Sequence, residues 1–127
     1  MGDYSNALSN YRKALEIRQI SLLSTHLDLA AYYNNIGLTY DNMGDYSNAL
    51  SSHQKALEIR QKTLPLNHPD LARSYNDIGA IYDNMGDYSN ALSFYESALS
   101  ILQHLVPENH PHLLTLRMNL EYVKRKL

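Results

Sequence analysis

The nine residues Met-Gly-Asp-Tyr-Ser-Asn-Ala-Leu-Ser occur three times, at 1–9, 43–51 and 85–93, with a spacing of 42 each time. A fixed period of this size builds a stacked array in which each unit covers the apolar face of the next. Residues 1–42 and 43–84 share 28 identities in 42 positions, whereas 43–84 and 85–126 share 18, none of them after Leu113. The expectation is a set of helical hairpins in register, followed by a divergent end.

The units read as helices. Tyr4, Ala7, Leu8, Tyr11, Ala14 and Leu15, with Ile17 close by, follow the spacing of an amphipathic helix. Asp3 is placed to cap that helix, its carboxylate accepting an orphan backbone N–H. Gly44 and Gly86 stand where the preceding helix must stop, and glycine tolerates the left-handed conformation needed there. Gly-Asp is thus one stop-then-cap signal, used three times. Six helices are predicted, at roughly 3–20, 27–42, 45–63, 69–84, 87–105 and 111–126. The linkers 21–26, 64–68 and 106–110 are equivalent by register. Pro65, Asn67, His68 and Pro69 return as Pro107, Asn109, His110 and Pro111. The second proline of each set suits a first helical turn, which needs no N–H. Leu23 and Leu27 replace the prolines in the first linker, so that connection is expected to be looser.

At 127 residues this is one domain or one array. A net charge of −2 with mixed signs gives no electrostatic case for nucleic acid or an acidic membrane. The absence of cysteine removes disulfides, thiolate zinc sites and cysteine catalysis. With no leader motif or apolar run of about 18 residues, a cytoplasmic protein is expected.

Within a unit, Tyr33, Ile36, Gly37 and Tyr40 recur as Tyr75, Ile78, Gly79 and Tyr82; Ala49 and Ala56 recur as Ala91 and Ala98. Small residues let helix axes approach, and large ones fill the space around them. This pattern resembles the tetratricopeptide repeat, with Tyr33, Ile36, Gly37, Tyr40, Ala49, His53 and Ala56 filling it once. Tyr75, Ile78, Gly79, Tyr82, Ala91, Tyr95 and Ala98 fill it again. The 42-residue period, with Ala-Leu-Glu-Ile-Arg-Gln at 14–19 and 56–61, Asn-His-Pro-Asp-Leu-Ala at 67–72 and Tyr-Asn-Asn-Ile-Gly at 33–37, is similar to the kinesin-light-chain type. The coiled-coil segment through which that family binds a motor is absent from the sequence, so motor-cargo adaptation does not carry over. The resemblance implies an all-α, right-handed superhelical solenoid of antiparallel helix pairs. Its units would be 1–26 (a half repeat, helix B only), 27–68, 69–110, and a capping helix at 111–127.

Two departures from the pattern matter. The chain opens on a B helix with no A helix before it, and is expected to be cut from a longer array. At the other end, Arg117 stands in the register of Tyr33 and Tyr75, and Glu121 in that of Gly37 and Gly79. A charge at the close-approach position disfavours docking another helix, and Lys124, Arg125 and Lys126 suit a solvated last turn.

The resemblance also implies binding of a partner peptide or helix on the concave face lined by the A helices. The groove positions carried over are Ala31, Asn34, Leu38 and Asp41; Arg73, Asn76, Ala80 and Asp83; and Thr115, Met118, Tyr122 and Arg125. In the family the amides at Asn34 and Asn76 hold peptide backbone, which suits a group that both donates and accepts. The bland reading is that they cap inter-helix contacts or face water. Arg73 and Arg125 suit a carboxylate, while Asp41 and Asp83 oppose a strongly acidic ligand.

Other candidates point to structure. His26, His68 and His110 recur at helix starts and read as linker residues. His110 and His112, with His104, are interrupted by Pro111 and have no carboxylate or cysteine ligand expected to converge on them, so no metal site is expected. The eleven tyrosines sit at packing positions without a basic stripe, against a nucleic-acid platform. No phosphate loop or nucleophile motif is present, and neither enzymatic activity nor a cofactor is expected. The leading expectation is a peptide-binding interaction module. One alternative is self-association through the face bearing Leu8, Tyr11 and Leu15, by a symmetric dimer or by head-to-tail fibres, which Glu121 opposes. Another is an accessory array on an enzyme such as an ADP-ribosyltransferase or a nucleotide-hydrolysing protein.

Overall fold

The computed structural model describes residues 2–127, apart from the side chains of residues 2–5, 20 and 24. The expected cap at Asp3 lies outside the described side chains. Five helices follow in order: α1 Gly2–Asn42, α2 Tyr46–Thr63, α3 Pro69–Asn84, α4 Tyr88–Leu102 and α5 Pro111–Lys126. Among the described residues there is no strand. The C-terminal half of α1 pairs with α2, α3 pairs with α4, and α5 lies against α4, which makes an all-α solenoid of antiparallel pairs.

The Gly-Asp signal does what its chemistry requires. Gly44 and Gly86 adopt φ of +78° and +79°. Asp45 N–H then reaches back to Tyr40 O at 2.9 Å, and Asp87 N–H to Tyr82 O at 2.9 Å, occupying carbonyls left over at the helix end. One residue on, Asp45 and Asp87 cap the next helix by accepting from the backbone N–H groups of Asn48 and Asn90. At the other type of turn, Pro69 and Pro111 open their helices as expected. The register-equivalent histidines act as caps: His68 Nδ1 accepts from Asp70 N–H at 3.0 Å and His110 Nδ1 from His112 N–H at 3.2 Å.

The first linker is corrected by the structure. Residues 21–26 are helical, so the predicted helices 3–20 and 27–42 are one element and the described residues form five helices instead of six. The cause lies in the residues. Ser-Leu-Leu-Ser-Thr-His, followed by Leu27, carries every backbone N–H and no glycine, so nothing interrupts the helical ladder. His26, which would cap a helix here, sits exposed in mid-helix.

The core is a seam between layers. Leu57, Leu71 and Ile78 are buried together, with Leu50, Tyr75, Tyr82, Phe94 and Ile101 packed around them. The second cluster joins Ala91, Tyr95 and Ala98 to Leu116, Leu120 and Val123 of α5. Helix α5 has two faces: Leu113, Leu116, Leu120 and Val123 are buried, while Met118, Tyr122 and Lys124–Lys126 are exposed. Arg117, in the tyrosine register, turns back to Glu108 of the preceding turn at 2.7 Å, a hydrogen bond that lowers the glutamate's pKa.

Candidate functional site

A hollow of about 540 Å³ opens between the neighbouring A helices α3 and α5, with the B helix α4 beneath. Pro69, Asp70, Ala72, Arg73, Asn76 and Asp77 come from α3; His112, Thr115 and Leu116 come from α5; Ala98 and Leu102 form the floor. The repeat makes this shape. Gly79 leaves room for the Tyr95 ring between the helices of the pair, and Pro111 opens α5.

Of the groove residues expected from sequence, Arg73, Asn76 and Thr115 line this hollow. The remainder stand elsewhere. Ala31 and Leu38 lie on the exposed side of α1. Asp41 accepts from Asn84 Nδ2 at 3.4 Å, tying one repeat to the next. Ala80 is half-buried, and Asp83 accepts from the Tyr95 hydroxyl at 3.3 Å. Met118 is exposed, Tyr122 meets Tyr88 edge-to-face with ring centroids 6.2 Å apart, and Arg125 lies 3.7 Å from Glu121.

The two register-equivalent amides have different fates. Asn34 is 2% exposed, and its Oδ1 lies 3.1 Å from His53 Nδ1, the imidazole donating. Burial lowers the His53 pKa and so favours the neutral ring, though Asp41 pulls the other way. One repeat later the position of His53 is held by Tyr95, whose hydroxyl goes to Asp83 instead. Asn76 Oδ1 is therefore left buried with no hydrogen-bond partner among the described residues. A buried acceptor without a donor carries a desolvation cost of about 1–3 kcal/mol that an incoming N–H offsets.

Asp77 is the site residue that sequence reasoning missed. Its Oδ2 is also buried and unpartnered. Burial pushes its carboxyl up to about 6, against the pull of Arg73 and Arg60. Arg60 is itself buried and donates to Ser74 Oγ at 2.7 Å. The signal for Asp77 was in the register, since neutral asparagines stand at the equivalent positions 35 and 119. The hollow is therefore lined by Arg73, by Asn76, whose amide oxygen has no partner among the described residues, and by Asp77, whose carboxyl is pushed up to about 6. Among the described residues no group of three or more metal-ligating side chains converges. No helix among them is long and apolar enough to cross a membrane.

A family model described as tetratricopeptide repeat matches residues 1–62 and 42–104. No curated protein matches. Among solved structures, BtubC (BKLC) from P. vanneervenii superposes with a TM-score of 0.74 at 24% identity, over 91% of this chain and 46% of that one. A putative kinesin light chain from Podosopora anserina, with nearly identical TPR-like repeats, superposes with a TM-score of 0.72 at 18% identity, over 92% of this chain and 62% of that one. This chain thus spans about half to three-fifths of those structures.

Proposed function

The chain belongs to the tetratricopeptide repeat family, whose repeats in general mediate protein–protein interaction, and on that premise we propose that it is a non-enzymatic module holding an extended partner peptide between α3 and α5. The observation that carries this reading is Asn76, which lines the hollow beside Arg73 and whose Oδ1 is buried without a hydrogen-bond partner among the described residues. A peptide N–H satisfies that oxygen without regard to side chain, which is how an amide reads extended backbone. Arg73 then takes a carboxylate, from an acidic side chain or a C-terminus. Asp70 and Asp77 on the same wall favour a ligand whose remaining residues are neutral or basic. The apolar floor at Ala98, Leu102 and Leu116 accepts one aliphatic side chain. A net charge of −2 supports a protein ligand over nucleic acid.

Hydrogen exchange on the protein, free and bound to a peptide selected from an array, tests the placement. Slowed exchange in 69–77 and 112–116 supports it. Slowing confined to the second hollow, near Gln61, Glu96 and Ser97, rejects it.

A further inference from the structure

The continuous α1 carries an apolar stripe that is exposed over its first four positions. Leu8, Leu15, Leu22, Leu29 and Ile36 follow one another at a strict spacing of seven residues, the repeat that keeps one seam of a helix facing a partner helix. The first four are 59%, 55%, 59% and 41% exposed. Their register equivalents in the next repeat include Leu57 at 8% and Leu71 at 2%.

The same interface is already built once in this molecule. Where α2 meets α3, Leu57 packs with Leu71 and Ile78, Arg60 donates to Ser74, and Gln61 donates to the Tyr75 hydroxyl. One repeat earlier the chain carries Leu15, Arg18 and Gln19 on one side, and Leu29, Tyr32, Tyr33 and Ile36 on the other. Only Tyr32 in place of Ser74 differs. Both halves of the interface are thus present and neither meets the other, because the continuous helix holds them on one rod about 60 Å long. They do not meet within one chain unless 21–26 breaks, and that segment has neither proline nor glycine to break it.

We propose that a second copy of this chain covers the stripe, each α1 laying its residues 2–20 antiparallel on residues 27–42 of the other. The geometry closes on itself. Midway between Arg60 and Ser74 lies residue 67, the centre of the turn; midway between Arg18 and Tyr32 lies Thr25. Two such helices crossing antiparallel at Thr25 therefore make both sets of contacts at once, around a two-fold axis, and the assembly stops at two. The Arg18 guanidinium of each copy meets the Tyr32 ring of the other, where Arg60 meets the Ser74 hydroxyl within the chain.

The absence of cysteine makes a clean test. Light scattering from about 1 to 200 μM is expected to show a rise to twice the 14.5 kDa chain mass. Leu22→Glu, at an exposed position, should abolish that rise with no loss of helical signal. Thr25→Cys, treated with a short bismaleimide, should give a covalent dimer, whereas Lys13→Cys on the opposite side should not. In Arg18→Cys/Tyr32→Cys the cross-link should run between chains. A monomer throughout the concentration range, a cross-link within one chain, or equal dimer yield from Lys13→Cys would overturn the proposal.

Discussion

A methyl group built on Gly79 would stand 2.8 Å from Cδ1 of Tyr95, and one on Gly37 would stand 2.6 Å from Cδ2 of His53. The two pairs show what each repeat is built on: the missing side chain of the A helix is the seat of the large ring of the B helix. Both rings are buried, so neither withdraws without opening the core. Gly79→Ala gains about 1 kcal/mol of helix propensity and forces a buried ring out of place, at about 1–3 kcal/mol. Chemical denaturation is expected to show a net loss for Gly79→Ala and for Gly37→Ala. A stabilised variant at either position would contradict the packing.

Asn34 and Asn76 occupy the same register and should respond in opposite ways. Asn34→Ala leaves the buried His53 ring without its partner and is expected to cost about 1–2 kcal/mol. Asn76→Ala removes a buried acceptor that nothing among the described residues pairs with, so stability should hold or rise, by up to about 1–3 kcal/mol. Melting curves of the two variants side by side check this; equal losses would make both amides structural.

Two buried titrating groups give stability a pH dependence with opposed signs. The folded chain holds the Asp77 proton up to about 6, whereas the unfolded chain releases it near pH 4. The folded state therefore binds more protons across that window, and Asp77 makes stability fall as pH rises from about 4 to 6. His53 acts the other way. Its folded pKa is depressed, so its contribution is complete above about pH 6.5 and is lost as the unfolded ring takes up a proton below that. Asp77→Asn, the residue found in register at 35 and 119, is expected to stabilise the chain by about 1–2 kcal/mol at pH 7.5. Below pH 6 its stability should fall more steeply than that of the parent. Denaturant midpoints from pH 4 to 8 test both slopes, and identical profiles for parent and variant would contradict the role given to Asp77.

Continuity of α1 depends on Leu23 and Leu27. Placing Pro at both, as at Pro65 and Pro69, removes two ladder N–H groups and should turn 21–26 into a linker like 64–68. Circular dichroism is expected to register a loss of helix, and the folded-back chain should be monomeric. An unchanged spectrum would show that residues 21–26 were never helical.

Most of the fold was legible because one signal was written three times: Gly44 and Gly86 supply the positive φ, and Asp45 and Asp87 the caps. The first linker was not legible from register. Equivalence in a repeat predicts a turn, but local chemistry decides it, and Leu23 and Leu27 lack what Pro65 and Pro69 supply. The site was half legible for a similar reason. Register puts Asn34 and Asn76 in one class, yet whether an amide is free depends on the residue across the helix pair, His53 in one repeat and Tyr95 in the next. Asp77 escaped notice because its register signal, a carboxylate where 35 and 119 carry asparagine, gains its meaning only from burial.

The most direct test of the peptide-binding hollow is a calorimetric titration of one array-selected peptide into the parent chain, Asn76→Ala and Arg73→Ala. A Kd raised about tenfold or more is expected in each variant, equivalent to about 1.4 kcal/mol, with no fall in melting temperature. Parent-like affinity in both variants would contradict it.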